Sequence, residues 1–419
     1  MHRLDPIRWD GYGEGMGELF NPQAADAAVA GRLVPDQNTL PSCLKEWSGQ
    51  RPIRICGGGT TSTCARPDQW SVDLRPGFQT LSLASDRNLL RIGAGLSMGQ
   101  VLGYLASYQR TIPAGLSGKP GMGYILTGGM GPLSRLHGLA IDQLQQIKGV
   151  WGNGTRFELH RPNPQSPTNL IKSWRGLCGA APFLSVVTEV SINTLPLEPL
   201  AVSSLRIAPK QLAEWIHWAE RQGPSCSLQW HWGEPDQIQL LVVDKPSNAM
   251  PSAHVIEGLY QLPALASRPV ETETRTHSEV VGLLGPANGQ GWLELIPELQ
   301  SLFNKRPHPG CTLACQQIGE ATSRFPKEAT SFVHREAIWK PWITASWPAN
   351  DTSAREHSLN WLKTVWSLLQ PICPGVHLAQ LHDHLPWHHR ELSLAFSEWL
   401  PELRKLKQEV DPDGNLPAL

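Results

Sequence analysis

Three glycines and three hydroxyl residues, Gly57, Gly58, Gly59, Thr60, Thr61 and Ser62, directly follow the short run Ile53–Cys56. Successive backbone N–H groups in such a stretch can converge into a nest for anionic oxygens, and the hydroxyls add donors. A plain turn, a phosphate cradle and a cofactor attachment point all remain open for it alone. No lysine stands where a nucleoside-triphosphate loop needs one, which removes that class. A second stretch, "PAGLSGKPGMGYILTGGMGPLSRLHGLAID" from Pro113 to Asp142, carries Ser117, Pro120, Gly121, Gly123, Gly128, Gly129, Gly131, Ser134 and Asp142. It is too glycine-dense for a packed element and too long for an idle loop. Two such segments can grip both sides of an elongated pyrophosphate cofactor, a dinucleotide held without a Rossmann helix. "DGYGEGMG", Asp10 to Gly17, lacks the flanking strand and helix of a dinucleotide loop and reads as a flexible leader.

The elements that must position these segments come in two blocks. A chain of 419 residues favours two domains. With 40% hydrophobic and 17% charged residues it is globular, and its 36 prolines and 38 glycines imply many turns. A net charge of -1 without a Lys/Arg run argues against nucleic acid or an anionic membrane as partner. No secretory leader or long apolar span is evident, and eight scattered cysteines read as reduced thiols, so the expected compartment is the cytoplasm.

From about residue 33 to 197 short strands and turns dominate. "SVDL" alternates, and "TLSLASDRNLLRIGAG" reads as a hairpin around Ala84–Asn88. Ser97 and Gln100 form a capping-box pattern before a helix reaching Tyr108. Asn153-Gly154 supplies the turn of a second hairpin, and "SVVTEVSINTL" is a strong strand. Beyond Pro196 tryptophans crowd in, from Trp215 and Trp218 to Trp361 and Trp366. Most should fill a core, and the others could line an organic-substrate pocket. "IQLLVV" and "AIWKPWITASW" read as strands, "SLNWLKTVWSLLQ" as a helix, and His334 and Arg335 as part of a strand of the substrate sheet. The terminal helix Glu398–Val410 has an apolar stripe and should dock back onto a domain. The class is α+β.

The order of these segments resembles the flavoproteins of the vanillyl-alcohol oxidase and p-cresol methylhydroxylase superfamily, and within it the berberine bridge enzyme-like oxidoreductases. "ICGGGTTS", "TGGMGPLSRLHGLAID", "SWRGLCGAAPFLSVVTEVSINTL" and "LPELRKLKQEVDPDGNL" carry the likeness. The resemblance implies FAD bound by residues 33–197 and by a C-terminal segment, 385–419, that returns to them. Residues 198–384 would build a substrate domain with an antiparallel sheet backed by helices, and 1–32 a leader. It implies that Gly57 to Ser62 hold the pyrophosphate, that Gly121 to Gly131 follow the ribityl chain and ring, and that Val186 and Val187 approach the cofactor through their backbone. Relatives often tether the flavin through a histidine at the place of Thr60 and a cysteine near Leu116–Ser117, and neither residue is present. FAD is therefore expected without a covalent bond.

The family's aromatic and amide motif aligns near "GVHLAQLHDH", where leucines replace the tyrosines and Gln380 stands for the asparagine. What remains is His377, His382, His384, His388 and His389 with Asp383. Imidazole titrates at about 6.5 and can take an alcohol proton as hydride leaves. His382 or His384 is the expected base, with Asp383 as orienter or base; the other reading is a polar surface loop. The spacing fits no regular metal pair, so no metal is expected, and Cys311 and Cys315 read as buried structural thiols. Arg335 could bind a substrate carboxylate or lie on the outer sheet face. The expected function is hydride transfer from a small organic alcohol-type donor, aromatic or sugar-like, to FAD, with oxygen or another acceptor. A catalytically altered, flavin-binding or flavin-less protein of the same fold is the alternative.

Overall fold

A computed structural model describes residues 19–46, 52–262, 275–378 and 380–419. The expected leader stretch Asp10–Gly17 lies outside them. Residues 19–32, also assigned to the leader, hold α1 (Pro22–Ala25), capped by the Asn21 side chain, and β1 (Gly31–Leu33). After α2 (Leu40–Glu46), β2 (Arg54–Cys56) and β3 (Trp70–Asp73) join β1 in a parallel sheet ordered β1-β3-β2.

β4 (Leu81–Leu83) and β5 (Leu89–Gly93) form the hairpin that the alternation predicts. α3 (Met98–Ala106) starts where Ser97 Oγ accepts the Gln100 N–H and Gln100 Oε1 accepts the Ser97 N–H. β6 (Arg110–Thr111) later pairs with β10 (Leu195–Pro196). Between them lie the short helices α4 (Met122–Leu126) and α5 (Ser134–His137), then β7 (Leu144–Trp151), β8 (Arg156–His160), α6 (Thr168–Leu184) and β9 (Ser185–Asn193). These strands order as β4-β5-β9-β7-β8, each neighbouring pair antiparallel. Gly154 turns β7 into β8 at φ +79°. α6 bends at Cys178–Ala180, with Gly179 at φ +125°, which hides its helical period in the sequence.

The second domain contains β11 (Leu200–Ile207), α7 (Leu212–Glu220), β12 (Ser227–Glu234), β13 (Gln237–Asp244), β14 (His254–Ile256), β15 (Thr276–Leu284), α8 (Gly289–Asn304), β16 (Thr312–Gln317), β17 (Trp339–Pro348), α9 (Thr352–Leu369) and β18 (Gly375–His377). Its sheet is antiparallel throughout, ordered β14-β11-β13-β12-β16-β17-β15-β18. Cross-strand neighbours point to one face, so the register sorts the residues. One set of rows, Leu240-Trp230-Cys315 and Ile238-Trp232-Leu313-Ile343, is apolar. It packs on the helices: Trp232 stacks on Phe303 of α8 at 4.7 Å, and Trp230 meets Trp292 edge-on. The alternate rows, Gln229-Gln316-Lys340 and His231-Ala314-Trp342, are largely polar.

The expected strand through His334 and Arg335 is a turn, and β17 begins only at Trp339. The Arg335 N–H bonds back to Val333 O, and its guanidinium is drawn to Phe332 O and Thr330. α10 (His388–Phe396) and α11 (Leu400–Val410) complete the chain. Lys407 on α11 donates to Phe183 O at 2.9 Å and Leu416 O at 3.1 Å, while Asn415 donates to Gly152 O and accepts from the Ile53 N–H. Among the described residues no helix is long and apolar enough to cross a membrane.

Candidate active site

Gly57–Ser62 form the loop after β2, with Gly59 at φ +67°, a conformation that strains any side chain. From Gly58 to Thr63 no backbone N–H donates to an acceptor among the described residues. The same holds from Gly115 to Gly118, and from Gly121 through the first turn of α4 to Gly123. Backbone donors without partners are rare in folded chains. The two loops meet backbone to backbone: a Cβ on Gly58 would stand 2.4 Å from Gly121 N, and one on Gly121 2.5 Å from Gly58 N. Two runs of free donors in contact make a seat for anionic oxygens.

The rest of the second glycine stretch is held by its own chain. Gly128 lies at φ +149° and Gly129 at +67°, and their carbonyls accept from Ile141 and Ala140. A Cβ on Gly131 would fall 2.0 Å from Ala114 O, and the Ser134 hydroxyl is taken by the Gly131 N–H. Ser117 Oγ accepts the Lys119 N–H, and Pro120 O accepts that of Met98. Val186 and Val187 are buried in β9, paired with Val150 and Gly149 of β7. Asp142 is fully engaged with Arg335, so these two candidates, assigned to cofactor and substrate, bind each other.

Beside the glycine seat, Gly115, Leu116, Ser117, Pro120 and Tyr124 face Gln316, Lys340 and Trp342 across a cavity of about 190 Å³. The polar rows of the substrate sheet thus look onto the glycine stretch. Lys340 is 7% exposed, its Nζ 4.8 Å from the Trp342 ring centroid, and has no ion-pair partner among the described residues. Burial lowers its pKa to about 8. Gln316 Nε2 is buried without an acceptor. Tyr124 donates to Met130 O, and burial pushes its phenol up. His377 bonds Thr127 O at 2.9 Å and is kept neutral by burial, its pKa about 3. Sequence reasoning missed Gln316 and Lys340, while Trp342 is one of the tryptophans expected either to fill a core or to line a pocket. The available signal was a lysine inside the apolar strand "AIWKPWITASW".

The residues expected at the catalytic wall stand elsewhere. His384 Nε2 is 2.7 Å from Glu279 Oε1, and Ser62 donates to Glu279 Oε2 at 2.9 Å. His382 Nδ1 is 2.8 Å from Glu391, with Glu279 at 3.6 Å from its Nε2. Asp383 pairs with Arg54 at 2.6 Å, and Gln380 accepts the Val280 N–H. The group ties the loop Gly57–Ser62 to β15 and α10, and none of its members lines the cavity. Burial alone would raise the Glu279 carboxyl, but the His384 hydrogen bond and the charge of His382 hold it below the usual range. Burial would lower His382, yet Glu391 and then Glu279 raise it.

Known proteins bear on this arrangement. A family model described as FAD binding domain matches residues 37–160. The uncharacterized FAD-linked oxidoreductase YgaK of Bacillus subtilis is 20% identical over 80% of this chain and 78% of its own. The FAD-linked oxidoreductase janO of Penicillium janthinellum is 28% identical over 47% of this chain and 44% of its own. Among solved structures, a chitooligosaccharide oxidase superposes with a TM-score of 0.77 at 16% identity, covering 92% of this chain and 90% of that one. Berberine bridge enzyme from Eschscholzia californica gives 0.74 at 16% identity, covering 96% and 91%. The facing runs of free backbone donors inside the matched region fit the pyrophosphate of FAD. The chain is an FAD-dependent oxidoreductase with the two-domain fold of the berberine bridge enzyme-like flavoproteins.

Proposed function

We propose that the protein holds FAD without a covalent bond and uses it to oxidise a small organic alcohol-type donor in the cavity between the second glycine stretch and β16–β17. The observation that carries this reading is the adjacency of the donor-lined seat to a cavity with polar, unpaired groups. The free N–H groups from Gly58 to Thr63 and from Gly121 to Gly123 bind the pyrophosphate, and Leu116 and Ser117 line the route to the donor. Bound FAD supplies the two-electron acceptor for hydride, and oxygen or another oxidant regenerates it. Thr60, Leu116 and Ser117 offer no imidazole or thiol for a tether. The cysteines are all buried as well. The structural neighbours named for chitooligosaccharides and berberine fit a donor that is sugar-like or aromatic.

The test is direct. The purified protein is expected to be yellow, and acid precipitation to leave the colour in the supernatant. A colourless protein that takes up no added FAD would overturn the reading. Colour that stays in the precipitate would overturn the non-covalent part of it.

A further inference from the structure

We propose that Lys340, assisted by Gln316, takes the hydroxyl proton of the donor. This rests on the reading of the cavity as the donor site. In the register Gln229, Gln316 and Lys340 lie side by side on β12, β16 and β17, on the face that meets the glycine stretch. The opposite rows are apolar where the helices cover them, apart from Gln317, whose amide is satisfied by Ala219 O of α7, so the side-chain amides left without a partner in these rows lie on the face turned toward the cavity.

The neighbours of Lys340 leave its amine free. Tyr124 on α4 keeps its proton, because burial raises its phenol and its hydroxyl is given to Met130 O. His377 on β18 is neutral and bonded to Thr127 O. Cys315 on β16 is a buried thiol pushed well above its ordinary value. No carboxylate pairs with Lys340 among the described residues, and its closest polarisable neighbour is the Trp342 ring. An ammonium there is poorly solvated, so the amine titrates at about 8 and its neutral form is accessible near neutrality. A base poised close to the working pH is the efficient one. The histidines that could compete are bound to Glu279 and Glu391.

The neutral Lys340 amine takes the proton as the donor O–H bond breaks. The electron pair left on oxygen forms the C=O bond while the carbinol C–H bond breaks, its pair leaving as hydride for the oxidised flavin. Gln316 Nε2, which has no acceptor of its own, donates to the oxygen as it gains negative charge. The ammonium then returns its proton to solvent.

The pair that this transfer creates, an ammonium beside an anionic oxygen, can be read without turnover. 4-Nitrophenol is a small hydroxyl compound whose ionised form absorbs in the visible. It is added to the FAD-loaded protein at a pH below that at which the free probe ionises. The expected result is a saturable phenolate band with wild type that is lost in Lys340→Met, and binding about tenfold weaker in Gln316→Leu. In wild type alone, affinity for the phenolate should fall as the pH rises through about 8, where the ammonium is lost. This second measurement decides the matter even if Lys340→Met fails to fold. No band in wild type, an equal band in Lys340→Met, or an affinity flat across that range each overturns the proposal. A yellow protein that does not ionise the probe loses this assignment and keeps the FAD reading. A colourless one that ionises it does the reverse.

Discussion

The Arg335 guanidinium closes a fork on Asp142, Nη1 to Oδ2 and Nη2 to Oδ1 both at 2.9 Å, with both side chains almost wholly buried. Asp142 follows the second glycine stretch, and Arg335 precedes β17 of the substrate sheet. One planar contact therefore fixes the glycine stretch against the strand that carries Lys340.

Removing one half of this pair should be costly. Arg335→Leu leaves a buried carboxylate uncompensated and is expected to lose about 3–5 kcal/mol of stability in denaturant titrations. Arg335→Lys should rescue little, because an ammonium cannot reproduce the two parallel bonds. The double variant Arg335→Leu, Asp142→Leu should recover a large part of the loss, and a double variant no better than the single one would refute the uncompensated-charge account.

Gly58→Ala is expected to reduce FAD content strongly, because the added methyl would sit 2.4 Å from the Gly121 backbone and push the two donor runs apart. Gly103→Ala on α3 is the control. Its Cβ meets nothing within 4 Å, and it should raise stability by about 1 kcal/mol. The flavin-to-protein absorbance ratio of the two variants checks both statements.

His382→Gln should destabilise in a pH-dependent way. The His382 pKa is raised in the fold, so its contribution is complete below its ordinary value of about 6.5 and is lost as the pH climbs through the raised value. The melting-temperature gap between wild type and variant should be widest in mild acid and shrink toward alkaline pH. Loss of Glu279 acts from the other side. Its lowered carboxyl contributes above the usual carboxylate range and loses that contribution as the pH falls through the lowered value. A gap for His382→Gln that widens with rising pH would contradict this assignment.

Lys407→Met should loosen the C-terminal segment, since Lys407 binds Phe183 O, Leu416 O and Asp411 together. Faster proteolytic removal of the residues after Val410, with the core of the protein intact, is the expected readout.

Local chemistry made much of this legible. The Ser97–Gln100 cap and the two hairpins are each specified within a few residues, and the structure follows them, whereas the second glycine stretch packs two short helices, α4 and α5, that its glycine content argued against. The histidines were legible as a titratable group, but their partners were not. Glu279 is 105 residues from His384, and Arg54 is 329 from Asp383. Alternation within β17 marks two faces without saying which one the helices cover, so Lys340 was hidden until β12 and β16 were set beside it. The turn at Arg335 also depends on a distant acid, and no local propensity announces it.

The loop Gly57–Ser62 is held from late in the chain: Ser62 by Glu279, Arg54 on the strand before it by Asp383, and Ile53 by Asn415. During synthesis at roughly 5–20 residues per second, these early residues emerge on the order of tens of seconds before their partners exist, and such long closures form slowly. A nascent chain that ends before Glu279 lacks all three of these anchors of the loop. Cofactor loading is thus expected only after Glu279 has emerged, and a ribosome-stalled fragment ending before Glu279 should not retain flavin.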